Sequence, residues 1–238
     1  VGTHSAEYPL PESTPRVKDA LRHLDRPLDA HENAFTELIR SGKAEREHYA
    51  RLIRYIDVSL DAQVAGYTTG VARFPHRPVA TPYMEFAEIK LGARRLMRSA
   101  SAALGEDPAP SGAEVLPLSA HSMPWYFLWL GAVGTRAQSG LGLYASMLAW
   151  HHVCASVVDA LSGTRTPPPE EFTLIFRRFE SPPTELLDQC AEAAEHGLEL
   201  GDDLGEALMA ARLGETVILD FMSAATGNRA YHRETADA

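Results

Sequence analysis

Cysteine is nearly absent: the 238 residues hold two, Cys154 and Cys190, with no CxxC spacing. Two such cysteines are read as buried free thiols in preference to one disulfide, which suits a reducing cytoplasm. Basic residues are also short, 22 Lys and Arg against 32 Asp and Glu, giving a formal net charge of -10. An acidic surface repels phosphates, so neither nucleic acid nor an anionic membrane is expected as a partner. No uninterrupted apolar run stands out as long enough to cross a bilayer. The opening VGTHSAEYPLPESTP has no basic region followed by an apolar one, so no signal peptide is expected. GxGxxG, P-loop and GxSxG motifs are missing, which leaves phosphate cradles and nucleophile elbows unsupported.

What is present is helical periodicity, punctuated by proline clusters. Residues 1–14 read as a loose lead-in, 15–226 as one domain and 227–238 as a polar tail. Thr14-Pro15 starts a short helix. Leu28, Phe35, Leu38 and Ile39 give the next an apolar face, stopped at Gly42. Tyr49, Leu52, Ile53, Ile56 and Leu60 recur at helical spacing in a long third segment. GVARFPHRPVATP reads as a loop, and 82–104 returns to helix. SMPWYFLWLGAVGTRA, with Ser122 as its cap, and SGLGLYASMLAWHHVCASVVDALSG are almost wholly apolar and should be central. Stretches at about 169–179 and 183–199 follow, and a last one runs from Asp203 to Ala225. No segment alternates as a strand does, so the fold class is all-α, a single helical bundle with a ligand pocket between central helices.

Several polar residues sit where apolar ones are expected. Glu215 shares a helix face with Leu208, Ala211, Ile218 and Met222, and an acid there must be paired, protonated or functional. His151 and His152 point about 100° apart, so at most one faces a given pocket. Either one is a satisfied core histidine beside a boundary residue, or one serves as a base. Adjacent histidines chelate a metal poorly, because that takes i,i+4 spacing. Trp125, Tyr126, Trp129 and Trp150 form an aromatic cluster that is either core or pocket wall. His121 is expected at the surface. Glu45, Glu47 and His48 read as a solvated helix start, and Glu192, Glu195, His196, Glu199, Asp202 and Asp203 as a solvated acidic face.

Asn33–Ile56, NAFTELIRSGKAEREHYARLIRYI, resembles the start of TenA and haem-oxygenase-like proteins. RLGETVILDFM, with Glu215 five residues before Asp220, resembles the TenA closing motif. The run from Tyr126 lies on the matching helix pair without gaps. The resemblance implies a pocket entered past Tyr55 and Asp57. It puts Trp150 where the thiaminases carry a cysteine, with Cys154 one turn away. It puts Ile56 at a pocket Asp and Phe179 at a pocket Tyr. Only Glu215 is kept in kind, so thiaminase chemistry is not expected. Relatives with haem would need an N-terminal histidine such as His23 or His31. Di-iron relatives would need more than Glu85, Glu88 and Glu215, because Ala211 and Ile218 stand at two ligand positions. The PqqC-type oxidases need no metal. The expected function is thus an enzyme of specialised small-molecule metabolism, acting without a metal on an apolar or aromatic substrate. Glu215 would be acid/base, His151 or His152 would assist, and Tyr126, Trp129 and Trp150 would shape the wall. No cofactor is favoured, with iron kept as the alternative. An iron-dependent oxidase and a non-catalytic binding protein are the other readings, and the apolar central helices allow a homo-oligomer.

Overall fold

The structure, a computed structural model, describes residues 10–22, 33–106, 116–181 and 183–227. Most of the lead-in, His23, Leu28, His31 and the polar tail beyond Gly227 lie outside the described residues. Within these limits the chain is all helix. The elements are α1 (Pro15–Arg22), α2 (Ala34–Arg40), α3 (Arg46–Arg73), α4 (Ala80–Ala103), α5 (Leu118–Val133), α6 (Arg136–Ser162), α7 (Glu170–Arg177), α8 (Thr184–Glu199) and α9 (Leu204–Ala225).

The helix starts follow local chemistry. Asn33 accepts from the Thr36 amide at 3.0 Å, and Asp203 accepts from the Glu206 amide at 2.9 Å. Thr135 and Gln138 form a reciprocal capping box at α6. Two boundaries differ from expectation. The loop after α3 shrinks to 74–79, because α3 runs on to Arg73 and α4 begins at Ala80. α5 begins at Leu118, so Ser122 is no cap; its hydroxyl donates back to the Ser119 carbonyl at 2.7 Å, and Pro124 is carried inside the helix.

The acidic run near α8 also departs from expectation. Glu195 is 4% exposed and accepts from the Val17 amide at 2.9 Å. Asp202 accepts from the Ala137 amide at 2.9 Å. With Asp203 on α9, three acids of this run each serve a different helix N-terminus. There the free N–H groups and the helix dipole favour negative charge.

α3 packs on α4 and α5, α6 packs on α8 and α9, and α5 against α9 joins the two groups. The α3–α5 contact is backbone against backbone. A Cβ on Gly131 would lie 1.9 Å from the Gly66 carbonyl oxygen, and one on Gly66 would lie 2.4 Å from that of Phe127. α6 has the length and hydropathy of a membrane span, contrary to the reading of the sequence, yet 78% of its most apolar window is buried inside the bundle. Tyr67, Phe86, Leu52 and their neighbours are also fully covered, each contributing roughly 1.5–3 kcal/mol of burial.

Candidate functional site

A small cavity lies where five helices meet. α3 supplies Ile56, Gln63 and Tyr67, and α4 supplies Phe86 and Lys90. α5 adds Met123 and Phe127, α6 adds Ser146, Met147 and Trp150, and α9 adds Ile218. Its volume is about 30 Å³, room for about one water. Ten of these eleven residues are buried, and Lys90 alone is half-buried, so it stands at the mouth.

The polar groups are few and placed. The Gln63 amide donates to the Ser59 hydroxyl at 2.8 Å, and the Tyr67 hydroxyl makes a long 3.5 Å approach to Gln63 Oε1. The Ser146 hydroxyl donates to the Leu143 carbonyl at 3.2 Å. Burial pushes the Tyr67 phenol well above its ordinary value. The Lys90 ammonium lies 5.9 Å from the Trp150 ring centroid, and no carboxylate among the described residues pairs with it. Burial lowers the Lys90 amine to about 8, a change that the neighbouring Cys154 opposes.

A larger hollow of about 1170 Å³ lies at the other end, between Tyr49, Leu104, Asp159 and the proline run. It is an open groove, and two of its charged side chains are already engaged. Arg40 meets Asp159 at 3.2 Å, and Arg46 donates to the Leu104 carbonyl at 2.9 Å. The small cavity is the better candidate because its polar groups are enclosed.

Of the residues singled out in the sequence, Trp150 lines the cavity, and so does Ile56, the stand-in for the pocket Asp. Tyr55 and Asp57 are each turned away by one step of α3. Tyr55 packs edge-on against Phe221 with centroids 6.4 Å apart, and Asp57 is exposed. Tyr126 is buried and donates to the Ala210 carbonyl at 2.9 Å, while half-buried Trp129 lies 5.9 Å from it. The wall expected from these two is built by Met123 and Phe127 instead. Trp125 is 53% exposed and stacks on His121, so it leaves the expected aromatic cluster.

The histidine pair divides. His151 is buried, its Nδ1 against the Phe179 carbonyl oxygen. That contact assigns the proton to Nδ1 and leaves a lone pair on Nε2, which is buried without a hydrogen-bond partner among the described residues. Burial lowers His151 to about 4, the Phe179 carbonyl opposes this, and His152 and Lys90 add to it. His152 is half-buried. Phe179 contributes its carbonyl, and its ring lies 6.3 Å from His151. Cys154 is wholly buried, and burial pushes its thiol well up, so it is no thiolate nucleophile. Cys190 is likewise free and buried. Glu215 is buried on α9, three residues before Ile218 on the same face, and its charge acts on the Tyr126 phenol.

The described side chains do not build an iron site. No three His, Cys, Asp or Glu residues come together as a metal group among the described residues. Glu85 accepts from the Gln189 amide at 3.0 Å, and Glu88 is exposed. The sequence reading missed Lys90, Gln63, Tyr67 and Ser146. The signal for Lys90 was there: it continues the buried stripe of Tyr83, Phe86 and Ala87 at i+7, i+4 and i+3.

No family model and no curated protein matches the sequence. Among solved structures, the chain is similar to the X-ray structure of a TenA homologue from Pyrococcus furiosus. The TM-score is 0.62 at 13% identity, with 90% of this chain and 97% of that one covered. The fold is TenA-like, of the haem-oxygenase-like kind.

Proposed function

We propose that the protein is a small-molecule enzyme that carries out metal-independent acid/base chemistry on an apolar or aromatic substrate in the five-helix cavity. The observation that carries this reading is the lining. Lys90, Gln63, Tyr67 and Ser146 bring an amine, an amide and two hydroxyls into a space otherwise walled by aromatic and aliphatic side chains. Glu215 does not line the cavity, but it lies one turn along α9 from Ile218, which does, and would relay protons from there. His151 supplies a neutral imidazole with an unshared lone pair on the neighbouring helix. Met123 and Met147 are unbranched and pliable, so they are the wall that yields when a ligand larger than water binds.

Binding of small aromatics such as indole and benzyl alcohol tests the reading. Wild type should gain several degrees in Tm, and a variant whose cavity is filled, Ser146→Leu, should not. Equal shifts in both would remove the cavity from consideration. Near-stoichiometric iron after anaerobic incubation with ferrous ion would sink the metal-free chemistry. A physiological ligand recovered unchanged, still bound by Glu215→Gln, would make the protein a carrier.

A further inference from the structure

We propose that Lys90 is an imine-forming lysine and that the substrate carries an aldehyde or ketone on an apolar body; this rests on the cavity being the site. Three features lead there. The amine stands at the mouth of the cavity, beside the Trp150 face. No acid among the described residues holds it, so its lone pair, once deprotonated, is free to react. Composition supplies the third. The chain has three lysines, Lys18, Lys43 and Lys90, against nineteen arginines. Where this protein needs a lasting positive charge it uses arginine, as in Arg40–Asp159 and Arg54–Glu106. A cavity built to hold an anion by charge would be served better by the guanidinium fork. A primary amine in apolar surroundings suits nucleophilic attack on a carbonyl.

The step balances without a co-reactant. Neutral Nζ adds its lone pair to the carbonyl carbon, and the C=O π electrons go to oxygen. The carbinolamine then loses that oxygen as water, taking both protons of the amine, and C=N forms. Burial favours the neutral amine that the first step needs.

Trapping with benzaldehyde and cyanoborohydride at pH 7, read by peptide mass spectrometry, tests this on the intact protein. Reduction fixes any imine as a benzyl amine. Exposed Lys43 is the internal standard within the same molecule. The expected result is that Lys90 is labelled about tenfold or more faster than Lys43, and that Lys90→Arg loses only the fast label. Benzyl alcohol, which cannot form an imine, is measured alongside by thermal shift. Labelling of Lys90 no faster than Lys43, with benzyl alcohol bound, overturns the imine and leaves the cavity reading standing. No preferential labelling and no binding overturns both.

Discussion

Glu195 on α8 and Lys90 on α4 are both drawn in from the surface of the bundle, and they are treated in opposite ways. Glu195 has partners: the Val17 amide donates to one oxygen, and the Arg16 guanidinium forms a 3.7 Å ion pair with the other, which is buried and makes no hydrogen bond among the described residues. It caps α1 from 178 positions away in the chain. Lys90 lies 5.9 Å from the Trp150 ring centroid and has no counter-charge among the described residues. A charge whose partners come from the protein is a fastener. A charge whose partners are missing costs stability and is kept where something else is to meet it.

Breaking the fastener should have the largest effect. Glu195→Ala leaves the Val17 amide unpaired and should lower stability by about 3 kcal/mol in urea unfolding. Proteolysis should begin at α1, and Glu195→Gln, which keeps an acceptor, should lose less. If Glu195→Ala unfolds like wild type, the contrast fails at its strong end.

His151 sharpens the comparison from the uncharged side. The fold holds it near 4, below an ordinary imidazole, so the unfolded chain takes up a proton that the folded one refuses. Stability should therefore fall as pH drops from about 6.5 to 4, by roughly 2 kcal/mol. In His151→Leu that part of the acid slope should vanish when Tm is followed against pH.

Lys90→Met should go the other way and raise stability at pH 7 by about 1 kcal/mol, allowing for solvent screening at the mouth. The amine is lowered to about 8, so wild type bears the full cost of the charge below that pH. The cost is relieved as pH climbs towards the ordinary lysine value, and the two melting curves should converge there. A destabilised Lys90→Met would mean that the lysine is itself a fastener. Smallest is Glu88→Gln, on an exposed face, which should change stability by less than about 0.5 kcal/mol and should leave indole binding unchanged.

The helices were readable because periodicity is local. Tyr49, Leu52, Ile53, Ile56 and Leu60 announce α3, and Asp203 announces α9. The all-α bundle follows from them, and the resemblance of the Asn33–Ile56 and Arg212–Met222 stretches points to the kind of bundle. The faces of α5 were not readable. That helix is apolar on every side, so nothing in the pattern says that Phe127 turns inward to the cavity while Trp125 turns out. Glu195 was read as solvated because its partner on α1 is distant in sequence. Lys90 was overlooked for a different reason. A long aliphatic stem lets a lysine pass for an ordinary helix-surface residue, although on the Tyr83–Phe86–Ala87 stripe it is the same kind of anomaly as Glu215 on α9.

α6 carries a consequence for how the chain is made. It is a rod about 40 Å long, apolar around its circumference, and its main covers, α8 and α9, follow it in the sequence. As the polypeptide leaves the ribosome, α6 has only α2 and α5 to lie against, and most of its surface is exposed. Until α9 arrives it is a sticky intermediate that a chaperone would hold. A chain stopped at Ser162 should aggregate, even though it already contains ten of the eleven residues that line the cavity.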